Sequence, residues 1–479
     1  MSHDLVISGA KIVTPGGVRL ADLAIKGAQI AEIGENLQGQ ARFEADGLIA
    51  MPGGVDPHAH IEQMSGMGVM NADTFETATR SAALGGTTSV ICFAAQQHGE
   101  RLADRVADYT ERAKAGAIID YAFHLSISDI EVPYFDADFT DLVAAGHRSV
   151  KVFTTYNIAL PDQAIAHVLF QARQTGALVC VHAENDGLIG WSKQALLSAG
   201  LTRPKHHAMS HPPTAEIEAV QRMIVFAEFF ATPVMLFHIS TGEALDAIRQ
   251  ARSRGVPVWA ETCPHYLMMT EDVLDKPGVD GAKWMCSPPQ RRDLDCAALW
   301  DGLQDGSLSL VSSDHAPYRF DKTGKLSSGS DARFDQIANG LPGLQTRLAL
   351  LFDALVSHEP RDPVAFARLT AEEPARIYGL ERKGRLEPGM DADLTLWDPT
   401  AEFAYGANDL ADNVGYNPWE GRRIKGRPLH VLRRGDWIVR DGALVAKPGS
   451  GRWIARPKIG VAATHPPARE VQLIEETLK

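Results

Sequence analysis

The strongest constraint on the fold of this chain is a repeated alternation of short apolar runs with helix-like segments between about residues 50 and 380. Eight runs rich in Val and Ile recur: LIAMPGGVD (48–56), GTTSVICF (86–93), IDYAFHLS (119–126), RSVKVF (148–153), ALVCVH (177–182), PVMLFH (233–238), VPVWAE (256–261) and LSLVSSD (308–314). Nearly continuous apolar strands separated by helices are typical of a parallel sheet. Eight such units over roughly 330 residues predict an α/β protein with a (β/α)8 TIM-like barrel, and a doubly wound open sheet is the alternative.

The two ends of the chain have a different texture, with short β-rich stretches punctuated by Gly and turn residues. DLVISGAKIV near the start and LHVLRRGDWIV near the end are examples. Such spacing is typical of hairpins. We therefore expect residues 1–50 and 385–454 to pair into one smaller, discontinuous β-sandwich domain, with the metal-binding barrel at 51–384. The proline-containing residues 455–479 are interpreted as a C-terminal arm that packs on a neighbouring subunit.

Composition excludes several classes of partner. The formal net charge is −13, and an acidic protein is a poor match for nucleic acid or an anionic membrane. No stretch approaches the ~18 apolar residues of a membrane span, and MSHDLVISGAKIV lacks the features of a secretory signal. The five cysteines form no Cys-x-x-Cys pair and are odd in number, which favours free thiols in a reducing compartment. We therefore expect a cytoplasmic protein.

The residues that end the apolar runs carry the chemistry. A barrel of this type places its active site at the carboxyl ends of its strands. Five of the eight predicted strands deliver an imidazole, a lysine or a carboxylate to that rim: His58 and His60, Lys151, His182, His238 and Asp314. Each residue alone has a common structural explanation. Separate structural explanations would not account for all six residues lying at the same rim. The pattern therefore predicts a metal site.

His58 and His60 are two residues apart, so on an extended segment both side chains point the same way and one metal can accept both. Lys151 is the unusual member, because a free ammonium would be repelled by divalent cations. One interpretation is that the aliphatic part of the Lys151 side chain is buried while its ammonium group stays in water. The other is that its amine is neutral and has reacted with carbon dioxide. The resulting carbamate is anionic and could bridge two metal ions as a carboxylate does.

At these residues the sequence resembles the amidohydrolase superfamily, and within it the dihydropyrimidinase and D-hydantoinase group of cyclic amidohydrolases. The resemblance covers almost the whole chain. It is carried by PGGVDPHAH (52–60), GGTT (85–88), SVKVFTTY (149–156), VHAEN (181–185), FHIS (237–240), AETCPHYL (260–267), CSPP (286–289), SSDHAP (312–317), NGLPG (339–343) and NPWEG (417–421).

The resemblance implies a role for each matching residue. His58, His60 and Asp314 match the ligands of a first metal ion, His182 and His238 match those of a second, and Lys151 matches a carboxylated lysine that bridges both. The metal of the family is usually zinc, which suits imidazole and carboxylate ligands. Tyr156 matches a tyrosine that binds the substrate and stabilises the oxyanion, and Ser287 and Asn339 match residues that hold the cyclic amide edge.

The same resemblance implies a reaction. A hydroxide that bridges the two metal ions would attack the ring carbonyl, and Asp314 would carry the proton to the leaving nitrogen. A 5-substituted hydantoin or a dihydropyrimidine would open to an N-carbamoyl amino acid. The resemblance also implies a homo-oligomer, either a tetramer or a dimer.

Two departures bear on the substrate. Glu62 occupies a position where dihydroorotases typically carry an arginine for the substrate carboxylate, which argues against a dihydroorotase and, more weakly, against other anionic substrates. The following loop contains Met64, Met67 and Met70, which either wall an apolar pocket or pack beneath the loop. His98 and His124 could reach the pocket, but we favour structural roles for both. Two alternatives stay open: the same chemistry on a cyclic imide or allantoin, or a non-catalytic scaffold, which six intact ligand positions disfavour.

Overall fold

The computed structural model describes residues 3–478, and it contains two sheets of different kinds. The first has nine strands from both ends of the chain, in the order β17-β16-β15-β14-β5-β1-β2-β3, with β4 paired to β1. Its strands are β1 (His3–Thr14), β2 (Gly17–Lys26), β3 (Gln29–Gly34), β4 (Gly39–Glu44), β5 (Ile49–Pro52), β14 (Leu394–Ala404), β15 (Arg423–Arg433), β16 (Asp436–Arg440) and β17 (Ala443–Leu444). The antiparallel pairing of β5 with β14 joins the two ends, as expected.

The second sheet is the predicted barrel. Its eight strands follow one another in chain order: β6 (Gly54–Ala59), β7 (Thr87–Ala95), β8 (Asp120–Ser126), β9 (Ser149–Phe153), β10 (Leu178–His182), β11 (Val234–Leu236), β12 (Val258–Thr262) and β13 (Leu310–Val311). A bridge between Ala59 and His315 links the first strand to the residues after the last. A doubly wound sheet would reverse its strand order at a switch point. The sequential order therefore confirms the barrel over that alternative.

Helices cover the outside of the barrel. The longer ones between successive strands bury one apolar face against the sheet, as their sequence periodicity predicts. The helices are α1 (Phe75–Leu84), α2 (Leu102–Gly116), α3 (Phe135–Ala145), α4 (Asp162–Thr175), α5 (Asp186–Ser198), α6 (His206–Ser210), α7 (Pro213–Phe230), α8 (Gly242–Ser253), α9 (Pro264–Met268), α10 (Asp293–Asp305), α11 (Arg347–Phe352), α12 (Pro363–Ala367), α13 (Glu373–Tyr378) and α14 (Arg469–Leu478). Short 3-10 helices occur at Glu271–Leu274, Asp280–Trp284 and Phe334–Gln336, and π-helical turns at Asp353–Ser357 and Arg368–Glu372.

One apolar run that the sequence predicts as a single strand is divided between the two sheets. Residues 48–56 contribute β5 to the outer sheet and the start of β6 to the barrel, with a break at Gly53. A side chain has no room there, because a Cβ at Gly53 would lie 2.3 Å from Oγ1 of Thr88. Continuous hydrophobicity could not reveal this break, since both strands are buried.

The C-terminal segment lies against its own barrel. The backbone N–H of Ile454 donates to the Tyr121 carbonyl at 2.8 Å, and the buried Arg456 side chain donates to Ser149 Oγ at 2.7 Å. Farther along, Glu475 on α14 accepts from Arg173 Nε at 2.7 Å. This chain's own barrel therefore holds the described part of the segment that was predicted as an arm. Among residues 3–478, no helix has both the length and the apolar character needed to span a bilayer.

Candidate active site

The six residues predicted as metal ligands lie on one rim of the barrel. His58 is in β6, Lys151 in β9 and His182 at the end of β10, while His60, His238 and Asp314 lie one, two and three residues after their strands. All six line one cavity of about 450 Å³. His238 and Asp314 have φ values of 40° and 45°. Such left-handed backbone is costly for residues other than glycine and persists where tertiary contacts impose it.

Three of these side chains converge closely. Asp314 Oδ1 lies 3.0 Å from His58 Nε2 and 3.4 Å from His60 Nε2. Ligand atoms of His58, His238 and Asp314 all lie within 4.8 Å of one another. Within residues 3–478, the buried His238 Nδ1 at this point has no hydrogen-bond partner. Buried polar atoms are rarely left unpaired, so this donor set fits a divalent cation.

The carboxylate of Asp314 stays ionised in this setting. Burial alone would raise its pKa, but the imidazoles of His58 and His60 outweigh that effect and hold the pKa of Asp314 well below its usual range. The position therefore offers a negatively charged oxygen as a ligand or as a proton acceptor.

Lys151 is buried and has no carboxylate partner within hydrogen-bonding distance among the described residues. Its Nζ lies 3.8 Å from the ring centroid of Phe237 and 4.9 Å from that of Phe153. Burial lowers the pKa of Lys151 to about 7. A large fraction of the amine is therefore neutral near pH 7, and a neutral amine is the form that reacts with carbon dioxide.

Three polar side chains orient the predicted histidine ligands. Glu261 Oε1 lies 2.5 Å from His58 Nδ1, and Glu184 Oε2 lies 2.8 Å from His182 Nε2. Gln63 Oε1 accepts from His60 Nδ1 at 2.8 Å. Each contact occupies one ring nitrogen and fixes the direction of the other. Sequence reasoning did not identify these partners, although Glu184 and Glu261 were visible as acidic residues within otherwise apolar strand ends.

The residues predicted to bind substrate face the same cavity. Asn339 Nδ2 donates to Ser287 Oγ at 3.0 Å, and both residues line the cavity with Tyr156. Tyr156 has a φ of 73° and is 37% exposed, and its hydroxyl reaches Ser287 and Asn339. Desolvation of the hydroxyl and the nearby Glu184 carboxylate raise the pKa of Tyr156 well above its usual value. The phenol is therefore a protonated hydrogen-bond donor at neutral pH.

The Glu62 side chain does not line the cavity, so the structure places its charge outside the cavity wall. Its Oε1 instead accepts from the backbone N–H of Phe75 at 2.8 Å, at the start of α1. A carboxylate favours that position because helix amino ends carry partial positive charge. Glu62 therefore has a structural role at the start of α1.

The remaining candidates divide between cavity and scaffold. Of the three loop methionines, Met67 lines the cavity, whereas Met64 and Met70 pair with each other in a β-bridge. His98 lies at the surface, where Nε2 contacts the Asn157 carbonyl at 3.0 Å. His124 is inside the barrel and donates from Nε2 to the Pro57 carbonyl at 2.7 Å. Both histidines thus have structural partners, as the sequence favoured.

Comparison with known proteins agrees with this geometry. The amidohydrolase family model matches residues 49–438. A D-hydantoinase from Ralstonia pickettii is 37% identical over 460 residues, which cover 95% of this chain and 99% of that protein. A D-phenylhydantoinase from Escherichia coli is 36% identical over 458 residues, with coverage of 94% and 98%. A crystal structure of dihydropyrimidinase from Brevibacillus agri superposes with a TM-score of 0.91 at 35% identity and covers 95% of this chain and 99% of that one.

The family match spans both the barrel and part of the outer sheet, and the similar proteins align over nearly their full lengths. The chain therefore belongs to the amidohydrolase family.

Proposed function

We propose that this protein is a metal-dependent enzyme that hydrolyses cyclic amides and opens 5-substituted hydantoins or dihydropyrimidines to N-carbamoyl amino acids. The observation that carries the proposal is the convergence of His58, His238 and Asp314 in a substrate-sized cavity, beside a buried Lys151 that has no carboxylate partner within residues 3–478. The similar proteins, a D-hydantoinase and a dihydropyrimidinase, point to the same substrates.

The proposed cofactor is a pair of divalent metal ions, most simply Zn²⁺. His58, His60 and Asp314 would hold one ion, and His182 and His238 the other. Lys151, as an N6-carboxylated carbamate, would serve both, which agrees with its lowered pKa and its lack of a carboxylate partner. When bound, such ions supply a water molecule acidic enough to be a nucleophile near neutral pH and polarise a carbonyl group.

The chain's own residues would perform the remaining steps. Ser287 and Asn339 would bind the polar edge of the ring, which places the scissile carbonyl near Tyr156. The protonated Tyr156 hydroxyl would donate to the developing oxyanion. Asp314 would accept the proton of the attacking water on a carboxylate oxygen and return it to the leaving ring nitrogen, which prevents expulsion of an amide anion.

The test combines metal analysis with a ring-opening assay on purified protein. We expect about two divalent ions per chain and turnover of dihydrouracil or 5-substituted hydantoins. The same assay with succinimide and allantoin decides whether the reaction belongs to another cyclic amide. Absence of bound metal, with no rescue by added zinc, would overturn the enzyme proposal and leave the scaffold alternative.

We also propose the domain division 1–50 with 385–454, 51–384 and 455–479, although β5 (Ile49–Pro52) crosses the first of these boundaries. A cytoplasmic location and a tetramer or dimer are further proposals. Sedimentation analysis of the full chain would test the oligomeric state, and fractionation of the producing cells would test the location.

A further inference from the structure

A short polar segment forms part of the cavity wall and is not used in the proposed reaction. It consists of α6 and the residue that follows it, and three of its side chains line the cavity: His207, Ser210 and His211. Elsewhere the wall includes several apolar side chains, among them Ile158, Ile189 and Phe334. A hydrocarbon substituent would therefore find contacts on those sides but would meet polar groups at α6.

The ends of this segment are tied to both halves of the proposed site. At one end, His207 Nε2 donates to the carbonyl of Cys286 at 2.7 Å, next to Ser287. At the other end, His211 Nδ1 contacts Glu184 Oε1 at 2.9 Å, and the second oxygen of Glu184 contacts His182. The segment thus lies between the proposed ring-binding edge and a proposed metal ligand, alongside the path of a bound substrate.

The contact with Glu184 determines which edge of the His211 imidazole is available. Nδ1 is held by the carboxylate, so the opposite edge of the ring, which carries Nε2, is left to face the cavity that the residue lines. Within residues 3–478, His211 Nε2 makes no hydrogen bond, and the residue is only 6% exposed. A nearly buried polar atom at a cavity wall is favourable when a ligand supplies its partner.

We infer that His211 is a specificity-determining residue whose Nε2 hydrogen-bonds an amide or urea group on the exocyclic arm of the substrate. This inference rests on the proposed function, since it names the substituent that the same cavity selects. The polar groups of the ring itself already have Ser287, Asn339 and Tyr156 as proposed partners. A further polar atom in the wall therefore calls for a further polar group on the substrate.

The chemical class follows from the imidazole. A neutral His211 that donates from Nδ1 to Glu184 accepts at Nε2, whereas a protonated one donates there. A carboxamide or ureido group offers both an N–H and a carbonyl oxygen, so it satisfies either form. A site built to hydrogen-bond a polar substituent also discriminates strongly against an analogue that lacks it, because its own group is left unpaired.

The test compares two hydantoins of nearly equal shape, one with a 2-carbamoylethyl arm and one with a 3-methylbutyl arm. We expect the wild-type holoenzyme to favour the carbamoyl arm in kcat/KM. In H211N, the new amide can still reach Glu184 where Nδ1 was, but Nε2 is gone. The ratio of the two kcat/KM values should then fall about tenfold, the loss of roughly one hydrogen bond.

H211Q reverses the change, because the glutamine amide reaches the former position of Nε2 and gives up the contact with Glu184. It should keep the substrate ratio within about threefold of wild type, while its zinc content after dialysis falls, since Glu184 then holds His182 alone. H206N is the matched control. His206 is on the same helix and does not line the cavity, so that variant should leave both the ratio and the zinc content unchanged.

An unchanged ratio in H211N, or a wild-type preference for the hydrocarbon arm, would overturn this inference and leave the proposed function intact. If the wild-type protein opened no cyclic amide at all, the proposed function itself would be wrong and this inference would fall with it. A fall in zinc content in H211N without a change in the ratio would make His211 a positioning residue for His182 only.

Discussion

Two buried lysines near opposite ends of the barrel show how this fold separates chemistry from stability. Lys151 on β9 contacts the rings of Phe237 and Phe153, and burial lowers its pKa to about 7. Lys383 follows α13, and its Nζ lies 2.8 Å from Asp120 and 2.7 Å from Asp393. Burial acts on Lys383 too, but its neighbouring carboxylates outweigh the effect and raise its pKa.

The difference lies in the partners that each region supplies. Asp120 begins β8 and Asp393 directly precedes β14, so the Lys383 cluster connects the amino-terminal end of a barrel strand to the outer sheet. Lys151 faces the carboxyl-terminal rim, where the described residues give its amine no carboxylate partner. In barrels of this type the rim at the carboxyl ends carries function, and the opposite face carries stability. The predictions below test this division, beginning with the largest effect.

The first prediction concerns Lys151→Ala. It should lower kcat/KM by about 10⁴-fold, because the proposed carbamate is lost. The folded state should persist, since the substitution removes a buried amine that has no carboxylate partner among the described residues. Zinc content, kcat/KM and the thermal midpoint check these expectations. Short carboxylic acids added to the variant should restore part of the activity by replacing the carbamate. Turnover at the wild-type level would contradict the bridging role.

Lys383→Met should have the opposite effects, with a loss of stability and little change in activity. It leaves the buried carboxylates of Asp120, Asp391 and Asp393 without their shared cation, so the free energy of unfolding should fall by about 3–5 kcal/mol. Denaturant titration measures that loss, and kcat/KM per folded molecule should stay near the wild-type value. Lys425→Met, which breaks an exposed pair with Glu402, is the control and should change stability little. A catalytic defect in K383M at full stability would refute the division between the two regions.

Glu261→Gln tests how the proposed metal ligand His58 is held in its orientation at the rim. A neutral amide holds the His58 ring less firmly than a carboxylate does, so metal affinity should fall about 10- to 100-fold. Competition with a chromophoric chelator measures that affinity directly. Glu271→Gln, on an exposed 3-10 turn, provides a control with the same chemical change. Equal affinity in E261Q and wild type would show that packing alone orients His58.

A third buried lysine gives a pH test. Lys325 Nζ donates to the carbonyls of Met285 and Ala338, and burial lowers its pKa to about 7. In the unfolded chain the pKa of a lysine is about 10.4. Between these values the unfolded state binds more protons, so folding stability should rise with pH from about 7 to about 10.4.

Lys325→Met should remove this contribution. The difference in unfolding free energy between wild type and K325M should move in favour of wild type between pH 7 and pH 9, as denaturant titration at both pH values would show. Lys322→Met, on the exposed part of the same loop, should parallel wild type. A pH-independent difference for K325M would contradict the lowered pKa of Lys325.

The smallest effect is expected in the methionine loop. Met67 lines the cavity and Met70 does not, so Met67→Ser should raise KM for hydantoins with hydrocarbon arms by a few-fold, while Met70→Ser should not. The loss corresponds to about 1 kcal/mol of apolar contact. Steady-state kinetics with the 3-methylbutyl hydantoin would measure it. Equal effects of the two substitutions would mean that the loop acts as a whole and not through one side chain.

The sequence by itself determined the strand–helix alternation and the set of candidate ligands, and it favoured a barrel over a doubly wound sheet. Strand periodicity is a local property, and parallel strands of a barrel bring their carboxyl ends to one rim. His58, Lys151 and Asp314 lie far apart along the chain, and they could be grouped because each lies in or just after a predicted barrel strand. The side-by-side direction of His58 and His60 follows equally from the two-residue period of an extended backbone.

Only the tertiary structure decided what each side chain meets. Glu62 turns to the start of α1, and of the three loop methionines Met67 lines the cavity, because the path of an irregular loop depends on contacts with distant residues. For the same reason, the sequence could not show that the pKa values of Lys151 and Lys383 shift in opposite directions. The charge of a buried amine depends on which carboxylates the fold places around it, and those of Lys383 come from Asp120, Asp391 and Asp393.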